Sequence, residues 1–157
     1  MAERLKVVLR RLLVGLVMFC MAATSAAIPG DSQTLEDNAW KLACVFGHYD
    51  CKNIQPPKVV YKHLGIWALG AYTGGDEVYL TTNLNYVDAL GTLTHEMVHY
   101  LQVKVGKLEG PYTRGLICWM EKDAHEIERL AMGRVGYLSN SPEWDERRAQ
   151  AYGCTNY

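Results

Sequence analysis

Apolar positions along this chain keep two rhythms. Between Tyr86 and Val105, Leu90, Leu93, Met97, Val98 and Leu101 recur at three- and four-residue spacings, the period of one helix face, and Gly106 offers a stop. The same rhythm runs from Thr34 to Phe46 through Leu35, Trp40, Leu42, Ala43 and Phe46, with acidic Glu36 and Asp37 near the positive end of the helix dipole. A third helical stretch spans about Tyr112 to Met132, before the glycines at 133 and 136. A short last one spans about Pro142 to Tyr152, with Ser141 as N-cap, Pro142 in the first turn and Gly153 at the end.

Between the first two helices the rhythm shortens. After Pro56-Pro57, Val59-Val60-Tyr61 has the β-branched and aromatic character of a strand. Ile66 to Tyr72 and Glu77 to Thr81 read as two more, and Thr73-Gly74-Gly75-Asp76 between them supplies glycines suited to a hairpin turn. Thr81 to Asn85 then offers several N-caps to the central helix. The order predicts an α+β domain, a short three-stranded sheet packed against the central helix and further helices. Neither a repeat nor a linker divides it.

The first residues stand apart. Arg4, Lys6, Arg10 and Arg11 precede the apolar run Leu12 to Ala23, and Thr24-Ser25-Ala26-Ala27 supplies small residues where a signal peptidase reads. This predicts a signal peptide over residues 1–27 and a mature domain over 28–157, secreted or periplasmic. The apolar run is short for a membrane span, which needs about 20 residues. The alternative is an anchor built from residues 12–27, and contact with a membrane is expected only through such an uncleaved leader. Phe19, bulky before Cys20, argues against a lipid-modified cysteine. Without the leader, Lys+Arg falls from 16 to 12 and Asp+Glu from 17 to 16, so the net charge moves from -1 to -4. A mildly acidic domain is a poor partner for nucleic acid. Four cysteines remain, and an even number in an exported domain implies two disulfides. The expected pairs are Cys44 with Cys51, closing a local loop, and Cys118 with Cys154, tying down the C-terminus. Neither pair has the Cys-x-x-Cys spacing of a thiolate metal site.

The central helix carries His95-Glu96-Met97-Val98-His99. Residues four apart project from one helix face, so the two imidazoles can bind one metal ion with Glu96 beside it. Neutral imidazoles bind Zn²⁺, and the metal lowers the pKa of its water to about 7. Glu96 is then placed to take the water's proton and pass it to a leaving group. Left uncompensated, two imidazoles and a carboxylate would be costly among Leu93, Met97 and Leu101; the alternative is a pair of satisfied core histidines. A catalytic zinc site usually has three protein ligands. Gln102 and Val105 stand where a metzincin would have its glycine and third histidine, which excludes that family. On the next helix Glu121, His125 and Glu128 recur at four and three residues and share a face, leaving three candidates. Glu126 and Glu128 also read as solvated charge near Arg129 and Arg134.

From Val78 to Glu128 the chain resembles the gluzincin branch of zincin metallopeptidases, in particular small single-domain members. The resemblance rests on an extended, edge-like Val78-Tyr79-Leu80, on Thr94-His95-Glu96-Met97-Val98-His99-Tyr100-Leu101-Gln102, and on the later Glu121-Lys122-Asp123-Ala124. It implies that Glu121 is the third ligand. The family often has an Asp four residues later that orients a metal-bound histidine. Here that residue is His125, which is the alternative third ligand. Tyr112 and His63 are the candidates for stabilising an oxyanion, and the edge-like strand could pair with an extended peptide. The expectation is an exported, monomeric zinc metallopeptidase acting on peptide or protein, cell-wall peptide included, with Glu96 as general base and acid. The competing expectation is an exported binding domain in which zinc is structural and nothing is cut.

Overall fold

The computed structural model describes residues 32–66, 68–106, 112–137, 149, 150 and 152–154. The expected leader and most of the expected last helix lie outside them. The described chain is α+β: helix α1 (Ser32–Phe46), a 3-10 turn at Cys51–Asn53, strands β1 (Lys58–Tyr61), β2 (Gly70–Tyr72) and β3 (Glu77–Leu80), then helices α2 (Tyr86–Gly106) and α3 (Arg114–Arg134).

The helix ends follow local chemistry. Asn85 caps α2, its side-chain oxygen accepting from the Asp88 N–H at 3.0 Å. Thr113 caps α3 through the Leu116 N–H. Gly133 falls inside α3 rather than ending it, and the turn out of the helix comes at Gly136, with φ +86°.

Two strand expectations need correction. The stretch Ile66 to Tyr72 forms a strand only from Gly70, because Gly65 has φ +85° and Ile66 is turned out to solvent. Val78-Tyr79-Leu80 is not an edge. The sheet order is β1-β3-β2, with β3 parallel to β1 and antiparallel to β2. The Gly74-Gly75 hairpin, both residues at positive φ, lays β2 back along β3, so that β2 and β1 are the two edges of the described sheet.

The core lies where α1 and α3 meet α2. Leu35, Ala39 and Ala43 of α1, Leu90, Leu93, Met97 and Leu101 of α2, and Ala124 and Ile127 of α3 join Val78 and Leu80 of the sheet. Trp40 packs edge-on to Tyr100, as expected of a core residue. Both expected disulfides are present, Cys44–Cys51 and Cys118–Cys154. Among the described residues no helix is long and apolar enough to cross a membrane.

Candidate metal centre

His95, Glu96 and His99 lie in the middle of α2, where the helix is buried on nearly all sides. Helical spacing puts His95 and His99 one turn apart on the face towards α3, and their Nε2 atoms are 3.0 Å from each other. From α3, Glu121 reaches the same point. Its Oε2 is 3.4 Å from His95 Nε2 and its Oε1 is 3.4 Å from His99 Nε2. In a tetrahedral zinc site with bonds of about 2.0–2.1 Å, donor atoms are about 3.3 Å apart. The three side chains are thus brought together at the separations such an ion requires.

The orientation of the His99 ring follows from its other nitrogen. Gln102, one turn after His99, donates its amide N–H groups to the Met120 carbonyl at 3.1 Å and to Asp123 Oδ2 at 2.8 Å. Its Oε1 must then accept, and His99 Nδ1, 2.9 Å away, carries the proton. That leaves a lone pair on His99 Nε2, directed at His95 and Glu121. On the other side, His95 Nδ1 is 3.3 Å from Glu128 Oε2, within ion-pair reach although not aligned as a hydrogen bond. The same oxygen is 3.2 Å from His125 Nδ1. Glu128 therefore sits between two imidazoles with its side chain 14% exposed, which corrects its reading as a solvated charge. Glu126 does face solvent and pairs with Arg129.

Charge in this cluster is strongly coupled to burial. For His95, burial opposes the imidazolium, but the facing carboxylates of Glu121, Glu128 and Glu96 outweigh it and raise the pKa to about 9. Burial also works against the carboxylate of Glu128, and the facing histidines overcome it, taking the pKa down to about 2. Glu121 is driven down in the same way by His95 and His99 against its own burial. Glu96 goes the other way. Burial dominates and raises it, with the two histidines only partly compensating.

The donor set fits zinc. Glu121 Oε2 is buried with no hydrogen-bond partner and faces His95 Nε2 at 3.4 Å, so its charge is compensated by the imidazolium or by a metal ion that replaces the ring's proton. His95, Glu121 and His125 also form a compact group, their ligand atoms within 4.8 Å of one another. His125 Nε2 is 3.9 Å from Glu121 Oε2, while its Nδ1 faces Glu128. Comparison of the chain with family models, with curated proteins and with solved structures finds no match. The site's own geometry carries the functional reading.

Beside the cluster a cavity of about 280 Å³ opens, lined by Tyr72, Val103, Tyr112, Ile117 and Met120, with His99 and Glu121 in its wall. Tyr112 is thus brought to the site. His63 is exposed beyond β1, and among the described residues no hydrogen bond or ion pair ties it to the cluster. Glu128 was named from the sequence as a candidate ligand, whereas Gln102, Asp123 and Gly70 were missed. Gln102 was findable, since it stands three residues from His99 on the same helix. Asp123 and Gly70 were not, because their roles depend on how α3 and β2 pack on α2.

Proposed function

We propose that the chain is an exported zinc metallopeptidase of the gluzincin type, in which His95, His99 and Glu121 hold the metal. The carrying observation is the convergence of two histidine nitrogens and one carboxylate at separations of 3.0 and 3.4 Å on buried helix faces. Zinc bound there would supply Lewis acidity, polarising a scissile carbonyl and lowering the pKa of a water to about 7.

The chain's own residues supply the rest. Glu96 adjoins the ligands, and burial raises its pKa towards the range in which a carboxylate can both take and return a proton. Gln102 holds the His99 ring in register, and Glu128 sets a carboxylate beside His95 Nδ1. The free edge of β2 passes Glu96 and ends at Tyr72 in the cavity wall, so a peptide pairing with that edge would cross the site. Tyr72, Val103, Ile117 and Met120 favour an apolar side chain in the cavity, whose size suits one residue. Two disulfides support an oxidising location, secreted or periplasmic.

The test is Glu96→Gln in the full chain. It should keep its zinc and lose peptide cleavage by at least about 100-fold. Unimpaired turnover would remove Glu96 from the mechanism.

A second reading rests on His125. Were it a fourth protein ligand, the coordination sphere would be closed and the zinc structural, as in a binding domain. That reading expects no peptide to be cut and no consequence of Glu96→Gln.

A further inference from the structure

The buried polar groups behind His99 form a chain that leads out of the metal cluster to a different part of the fold. Gln102 is 2% exposed and uses both ends of its amide, Oε1 towards His99 and Nε2 towards Met120 and Asp123. Asp123 Oδ2 accepts a second hydrogen bond, from the Tyr49 hydroxyl at 3.2 Å. The donors therefore converge on Asp123 from both ends of the chain. Tyr49 and Gln102 both donate to Asp123, which fixes the amide's rotation, and the amide oxygen then fixes the proton on His99 Nδ1.

Tyr49 belongs to no helix or strand. It lies in the loop closed by Cys44–Cys51, and the loop is built to hold it. The Tyr49 N–H donates to the Cys44 carbonyl at 3.1 Å, and the Cys51 N–H donates to the Tyr49 carbonyl at 3.0 Å. His48 adopts a left-handed φ of 53°. A Cβ on Gly47 would stand 2.2 Å from the Tyr49 ring, so glycine is required for the ring to fold back. Burial, and after it the charge of Asp123, hold the phenol well above its ordinary pKa, so it remains a donor.

We infer that Tyr49, held by the Cys44–Cys51 loop, is a positioning residue for the metal centre, acting through Asp123 and Gln102 on His99. The disulfide loop is then part of the metal site, and its integrity sets how well His99 presents Nε2. The effect on zinc rests on the proposed ligand set; the hydrogen-bond chain does not.

The experiment uses the full chain with both disulfides formed, comparing wild type with Tyr49→Phe, Asp123→Leu and Asp123→Asn. Tyr61→Phe serves as control, since that hydroxyl donates to Glu36. Zinc affinity is read by chelator competition, and the His99 ring by ¹⁵N and ¹H NMR with and without zinc. Asp123→Leu should raise the zinc dissociation constant by about 10- to 100-fold. Tyr49→Phe should raise it by less, and both should move the His99 Nδ1 proton upfield as its hydrogen bond loosens. Asp123→Asn, which keeps an acceptor oxygen, should restore most of the wild-type behaviour, and Tyr61→Phe should change nothing. Folded Tyr49→Phe and Asp123→Leu proteins with unchanged zinc affinity and unchanged His99 signals would overturn the inference. If wild type takes up no zinc, the ligand assignment falls, while the zinc-free His99 spectra still decide whether the chain from Tyr49 exists.

Discussion

Gly70 matters to this site by what it lacks. A Cβ there would stand 2.7 Å from Glu96 Cγ, 2.7 Å from Thr92 Cγ2 and 2.9 Å from Glu96 Oε1. Gly70→Ala should therefore push Glu96 off its position, costing about 1–3 kcal/mol of stability. Peptide cleavage should fall while zinc content stays at the wild-type level, measured by metal analysis beside an activity assay. The coupled charges predict a pH profile for the zinc-free protein. His95, raised from 6.5 to about 9, contributes stability that is full below 6.5 and lost as pH rises through about 9. Glu128, lowered from 4.5 to about 2, contributes stability present above 4.5 and lost as pH falls through about 2. Denaturant midpoints without zinc should thus fall on both sides of a window from about pH 4.5 to 6.5. Saturating zinc, which takes the proton's place on His95, should remove the alkaline fall. An alkaline limb that persists with zinc would contradict His95 as a ligand. At this scale the motif residues were legible because helix geometry alone sets their spacing. Glu128 was misread because an i+3 neighbour of His125 looks the same whether it faces water or a second helix.

At the level of elements, the site is the contact between α2 and α3. Cys118–Cys154 ties α3 to the C-terminal segment across 36 residues, whereas Cys44–Cys51 closes a loop of sequence separation 7. On loop-closure entropy, replacing both cysteines by alanine should cost about 4 kcal/mol for the long loop and about 2.5 kcal/mol for the short one. Denaturant unfolding reads that order directly, and equal or reversed losses would contradict it. The three helices and three strands were legible from periodicity and turn residues, and so were the cysteine pairs. The sheet order was not. Strands of three and four residues carry little alternation, and nothing local says that β1 runs parallel to β3 from the far side. The misplacement of the edge followed from that, and with it the choice of which strand a peptide would meet.

Taken whole, the described residues form a small α+β domain whose buried polar side chains, Thr81 apart, lie on α2 and α3. Thr94, His95, Glu96, His99, Gln102 and His125 are all buried, and all lie on α2 or α3. A core of this size would be more stable with apolar residues in those places unless a bound ion repaid the desolvation. Zinc should accordingly raise the unfolding midpoint in proportion to the logarithm of its free concentration, and a chelator should reverse the shift. The most direct test of the central claim is the zinc content of the purified full chain, compared with Glu121→Ala and His125→Ala under identical metal supply. One zinc per wild-type chain, lost in Glu121→Ala and kept in His125→Ala, is the predicted result. A folded wild type that binds no zinc, or zinc that survives Glu121→Ala and is lost with His125→Ala, would contradict it.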